Sequence, residues 1–271
     1  MAQVNLSTRD ANVLEKIKDP ESNPDQRAVI DASLPSDPHV PDTSIFRTLI
    51  REQVELVRQL QEAEASLTGN TPGQLITRDN VADLYRKAIE RLGDMVASNP
   101  DHASARNNRA QAVRRLYGDT LLVDGPVDAD ALLASPNTDQ KRQDAVVILT
   151  DLERCVQLLT PKTPKTPISP HAARTLGSAH TQRAAIYRGT SRFLAEGRRL
   201  DVDGHAFGDM AAWKPFNFEQ AAARDLALGA RYGDEIAKAL AVSLNPTAKL
   251  CGEIVSNAMR QEYGQGGVGW S

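Results

Sequence analysis

Apolar residues recur along this chain at spacings of three, four and seven, with Gln, Glu, Lys and Arg between them, the periodicity of helices packed on one side. From Thr43 to Leu67 the marked positions are Phe46, Leu49, Ile50, Val57, Leu60 and Leu67, and Gly69 with Asn-Thr-Pro-Gly ends the run. A second helix is predicted from about Thr77 or Asp79, carrying Val81, Leu84, Tyr85, Ala88, Leu92 and Met95 and stopping at Pro100. The next runs from Ala103 to about Tyr117, where Gly118 supplies a C-terminal stop. Helix resumes at Asp144 with Ala145, Ile148, Leu149, Leu152, Cys155 and Leu159 on one face, and breaks at "TPKTPKTP" (160–167). Further helices are predicted over His171 to Ala195, Phe218 to Leu228, Asp234 to Ser243 and Pro246 to Met259. No segment alternates with period two, so the expected fold class is all-α.

The predicted helices divide the chain in three. Residues 1–42 read as a Pro-rich arm with one short helix from Asp10 to Lys18, broken by Pro20, Pro24, Pro35, Pro38 and Pro41. Residues 43–260 form the helical domain, stretched by polar inserts at 119–143 and 198–217, and 261–271 is a flexible Gly-rich tail. Aromatic residues make up only 4% of the chain, so the core must be built from Ala, Leu, Val and Ile at closely packed helix contacts. The formal net charge of −3 argues against general nucleic-acid binding. No apolar run approaches the ~18 residues of a membrane span, and the N-terminus has no secretory apolar core, so a cytoplasmic setting is expected. Cys155 and Cys251 are distant in sequence and read as small buried apolar residues.

Helix pairs with small residues at their contacts suggest a solenoid. The tetratricopeptide pattern spans about 34 residues and ends on Ala-x3-Phe followed by Pro. "AIERLGDMVASNP" fits its second half, through Ala88, Leu92, Met95 and Pro100. "TQRAAIYRG" (181–189) echoes "NNRAQAVRR" (107–115), aligning Arg183 with Arg109 and Ala184 with Ala110. Ala222, Leu226 and Gly229 then belong to the partner helix, and "LNPTAKLCGEIVSNAM" (244–259) has the form of a capping helix, with Asn245 and Pro246 at its start. About three pairs plus this cap are expected.

"ASARNNRAQAVRRLYGD", "DLERCVQLL" and "LNPTAKLC", in that order, with "VLEKIKDP" near the start, resemble the tetratricopeptide repeat protein 36 family. The long inserts and the Pro-rich arm depart from its compact animal form and resemble what fungal members would carry. The resemblance implies a non-catalytic adaptor for protein partners, an Hsp70-type chaperone among them, and a link to tyrosine metabolism.

Candidate chemistry is sparse. The five histidines form no HExxH or other metal-ligand spacing, no GxSxG occurs, and "GQGGVG" lacks the Lys-Ser/Thr of a phosphate loop. The expectation is no enzyme, no cofactor and no metal. A peptide-binding stripe is expected on the first helices of the pairs, formed by Asn107, Asn108, Gln111 and Arg114, with Thr181 and Arg188 from the third pair. Amides can bond a peptide backbone and Arg can hold a carboxylate by two parallel bonds. Asn108 resembles the central Asn of chaperone carboxylate clamps, but Gln59, Ala63, Ser178 and Gln182 stand where the clamp's other residues belong, so the clamp is incomplete. Arg109 and Arg183 read as structural, with Asp151 and Glu153 as possible partners. The alternatives to an adaptor are an enzyme or small-molecule binder in tyrosine catabolism, and an assembly factor whose inserts cover the groove.

Overall fold

A computed structural model describes residues 27–68 and 77–244. The short helix at 10–18, the capping helix at 246–259, the Gly-rich tail and Cys251 lie outside the described residues. The described chain is mainly helix: α1 (Thr43–Thr68), α2 (Arg78–Ser98), α3 (Ala103–Tyr117), α4 (Thr138–Leu159), α5 (Pro170–Ala195), the single turn α6 (Gly204–Phe207), α7 (Pro215–Arg231) and α8 (Glu235–Leu244). Among the described residues the only β pairing is two isolated bridges, Ile30 with Ile168 and Val123 with Leu200. No described helix is long and apolar enough to cross a membrane.

Local chemistry sets the helix ends. Thr77 caps α2 by accepting from the Asn80 amide, Asn137 caps α4 by accepting from Gln140, and Ser169 caps α5 with Pro170 in the first turn. α3 stops at Gly118, whose φ of 66° suits glycine. α4 starts six residues before the expected Asp144, because the Asn137 cap fixes its start while its apolar stripe begins only at Ala145. α7 likewise begins at Pro215, where Lys214 N–H donates to Asn217 Oδ1 at 2.9 Å.

Consecutive long helices pack as antiparallel pairs. Arg109 meets Asp151 and Tyr117 meets Asp144 across α3 and α4, while Arg183 meets Asp225 and Ser191 meets Pro215 across α5 and α7. Fully buried alanines, Ala103, Ala105 and Ala110, let α3 approach its neighbours closely. Arg109 Nε and Nη2 donate to the two Asp151 oxygens at 2.6 and 2.8 Å, and Arg106 adds a third bond. Arg183 makes the same two-pronged contact with Asp225 at 2.7 and 2.7 Å, and His180 takes the place of Arg106. Both arginines lie 42 residues before their aspartate, and the echo of "NNRAQAVRR" in "TQRAAIYRG" places them in register.

The first insert is not a solvated loop. Leu121, Leu122 and Val123 are fully buried, and Ala131 and Leu132 nearly so. It joins the second insert through Asp124 N–H to Arg199 O and Asp201 N–H to Leu122 O, both 2.9 Å. The two inserts thus form one packed unit at the end of α3.

Candidate functional site

Between α1 and α3 lies a groove of about 760 Å³. The two helices run in the same direction, since Gln53 bonds Asn108 near their starts and Glu64 bonds Arg115 near their ends. α1 contributes Gln53, Leu56, Val57, Leu60, Gln61 and Glu64, a spacing of three and four that turns one helical stripe inward. α2 lends Tyr85 and Leu92, α3 lends Asn108, Gln111, Arg114 and Arg115, and the first insert closes one end with Asp119, Asp128 and Asp130.

The groove has two different ends. At the first, Asn108 Nδ2 donates to Gln53 Oε1 at 2.8 Å. Gln53 Nε2 is held by the Leu49 carbonyl and by His102 Nε2, so the Gln53 amide is fully committed. That leaves the Asn108 carbonyl and one of its N–H groups for the groove, beside the exposed Gln111 amide. At the second end charges meet in pairs: Arg114 Nη2 with Asp119 Oδ1 at 2.7 Å, and Arg115 Nε with Glu64 Oε1 at 2.6 Å. Arg115 also donates to the Asp130 carbonyl, and Tyr85 O–H donates to Glu64 at 2.9 Å. Burial, then the Glu64 charge, pushes the Tyr85 phenol well above its ordinary value, so it stays a neutral donor.

Of the six residues of the expected stripe, Asn108, Gln111 and Arg114 line the groove and the other three do not. Asn107 is buried at the α3–α5 contact, where Nδ2 donates to Ser178 Oγ and Oδ1 accepts from Gln182. Thr181 donates to the Gly177 carbonyl and lies against Gly229 of α7. Arg188 is exposed and does not line the groove. The stripe spacing of three to four residues is real for Gln111 and Arg114, but α3 turns Asn107 toward α5 and Asn108 toward α1.

Below the groove the fold assembles a serine, a histidine and an aspartate that sequence inspection missed. Ser104 Oγ is 3.1 Å from His102 Nε2, and His102 Nδ1 is 3.3 Å from Asp37 Oδ2. The composition is that of a hydrolase triad, but the three residues are 6%, 0% and 2% exposed. Gln53 occupies the same His102 nitrogen, and Ser104 donates to Gln53 Oε1 at 3.0 Å. Ser104 Oγ is committed to Gln53 and His102 within this buried set, which anchors the arm to α3 and orients Gln53. Burial raises the Asp37 carboxyl, but its contacts with His102 and His39 outweigh that and hold it below its ordinary value. Asp37 lies 65 residues before His102, which no local motif reveals. Among the described residues no group of His, Cys, Asp and Glu is placed to hold a metal ion.

Fold and site together define, among the described residues, a mainly helical protein of antiparallel helix pairs with a groove between α1 and α3. The chain is similar to the L-tyrosine degradation gene cluster protein hmgX of Aspergillus fumigatus, 30% identical over 262 residues, which is 95% of this chain and 93% of that protein. It belongs to that protein's family. No family model and no solved structure matches the chain.

These findings correct the assignment to the tetratricopeptide repeat protein 36 family, since the relative that spans nearly the whole chain bears another name and no tetratricopeptide model matches. The chaperone-adaptor role drawn from that resemblance falls with it. The described ones among the quoted segments, "ASARNNRAQAVRRLYGD" and "DLERCVQLL", carry the packing of α3 on α4, and packing does not define a partner.

Proposed function

We propose that this chain acts in L-tyrosine degradation as a binding protein without chemistry of its own, with the groove between α1 and α3 as its ligand site. The observation that carries the degradation role is near full-length similarity to a protein named for L-tyrosine degradation. The groove supports binding: its volume is that of a small-molecule site, with an apolar stripe and a few convergent polar groups. Its described lining holds no His, Cys or Lys, its tyrosine is kept protonated, and two of its carboxylates, Glu64 and Asp119, are paired with Arg115 and Arg114. The His102 and Asp37 pair, which an enzyme reading would seek, is buried and does not line the groove. A fold reading goes with this proposal, a solenoid of the tetratricopeptide kind, supported by the recurring arginine–aspartate contact and by α1, α3 and α5 running in one direction.

Deletion of the gene and growth on L-tyrosine as sole carbon source tests the role. Growth should be lost, restored by the wild-type chain, and not restored by Gln111→Ala/Leu60→Arg. Normal growth of the deletion strain overturns the degradation role. Full rescue by the groove variant overturns the assignment of the site.

A further inference from the structure

The groove's charges carry a statement about its ligand that rests on the binding reading above. The described lining contains three guanidinium groups, Arg114, Arg115 and Arg192, and four carboxylates, Glu64, Asp119, Asp128 and Asp130. A site built for a simple organic acid concentrates positive charge, and this one carries one net negative charge. Both signs sit at the same end, beyond the apolar stripe of Leu56, Val57 and Leu60.

We infer that the groove binds a free aromatic α-amino acid, with its zwitterionic headgroup at the charged end and its ring on the α1 stripe. Commitments among the seven charges decide the placement. Arg114 is held by Asp119, and Arg115 by Glu64 and the Asp130 carbonyl. Arg192 is the least committed cation: its side chain is 60% exposed, it reaches Glu196 only at 3.9 Å, and it stacks on Phe193 at 4.5 Å. It is the partner for the ligand carboxylate. Asp128 uses Oδ2 to accept the Asp119 amide at 2.9 Å, and Asp130 is engaged through its backbone carbonyl. Oδ1 of Asp128 and the Asp130 carboxylate are the partners for the ligand ammonium.

The ring has an apolar bed on α1 and the face or edge of Tyr85 beside it. From Arg115 back to Asn108 α3 rises by roughly 10 Å. At that far end Asn108 and Gln111 offer both donors and acceptors, the complement of a phenolic hydroxyl, which donates and accepts. An amino acid with a hydroxylated ring therefore meets a matching group at each end. Its deaminated counterpart leaves Asp128 and Asp130 facing a carboxylate.

Isothermal titration of the full chain with three probes tests this: L-tyrosine, tyramine (no carboxylate) and 3-(4-hydroxyphenyl)propionate (no ammonium). L-Tyrosine should bind best, each truncated probe at least about fivefold more weakly, and the propionate weakest, as half-exposed ion pairs of this kind allow. Asp130→Asn should weaken L-tyrosine and tyramine and leave the propionate unchanged or stronger. Arg192→Gln should weaken L-tyrosine and leave tyramine unchanged. Circular dichroism confirms folding, and the wild-type probe series stands even if a variant misfolds. Propionate binding as tight as L-tyrosine overturns the amino-acid assignment while leaving the groove as a ligand site. No binding of any probe up to the solubility of L-tyrosine also overturns it, and the growth experiment above then judges the groove independently.

Discussion

Asp225 offers the sharpest test of how the stack is held. Its carboxylate is 4% exposed and accepts from Arg183, itself 14% exposed, and from His180. Asp225→Ala leaves the His180 imidazole and the Nε and Nη2 of Arg183 without their carboxylate in a dry contact, with only the outer Glu153 contact remaining to Arg183. Breaking a buried pair by removing one partner costs about 3–5 kcal/mol. At roughly 2–4 °C per kcal/mol for a domain of this size, the melting temperature should fall by about 10 °C. Urea unfolding followed by circular dichroism measures the loss directly. Arg183→Met/Asp225→Leu should recover at least half of it, because the charge is then removed along with its partner. Glu153→Ala removes only the outer contact of Arg183, from a side chain 53% exposed, and should cost under about 1 kcal/mol. Burial raises the Asp225 carboxyl, but Arg183 and His180 hold it below its ordinary value. Its contribution is therefore complete above about pH 4 and fades as the pH falls through the lowered folded value. Wild type and Asp225→Asn should converge in stability in strong acid. A loss under 1 kcal/mol at neutral pH, or a double variant no better than the single, refutes the reasoning.

Other predictions concern packing and access. A Cβ at Gly189 would lie 2.6 Å from Asp119 Cβ, so Gly189→Ala should destabilise by about 1–3 kcal/mol in denaturant unfolding. Leu122→Ala should cost about 2–5 kcal/mol, where a solvated insert would give a change under about 0.5 kcal/mol. Burial pushes the Cys155 thiol up to about 12, so iodoacetamide at pH 8 should label it, by peptide mass spectrometry, only after denaturation. Asp37→Asn should remove part of the acid destabilisation seen below about pH 4, because the wild-type carboxyl stabilises only when ionised.

The helices were legible because each buries one face, and burial writes its period into the sequence. α3 runs from Ala103 to Tyr117 in both readings, since Gly118 marks its end unmistakably. The pairing of Arg109 with Asp151 was legible as a choice between two acids, and geometry selects the one that sits opposite on α4. What stayed hidden depends on contacts distant in sequence. The insert at 119–143 looks polar because Asp, Gly, Pro and Gln outnumber its leucines, yet those leucines fill the core beside α3 and α4. Asn107 and Asn108 are neighbours in sequence with opposite fates, because one residue turns a helix by about 100°. The groove's second wall, α1, was not recognised as such, since Val57 and Leu60 read simply as positions of a helix's apolar face and Leu56 falls outside the marked set. The family was misjudged for a related reason: segments that record how helices pack were taken to specify a partner.

The most direct test of the groove is a titration of the isotopically labelled chain with L-tyrosine, followed by amide and side-chain chemical shifts. The account predicts saturable shifts centred on Leu56–Glu64 of α1, Tyr85 of α2, Asn108–Arg115 of α3, Asp128–Asp130 of the insert and Arg192 of α5, with α7 and α8 unchanged. No shifts up to the solubility limit of L-tyrosine, or shifts centred on α7 and α8, would contradict it.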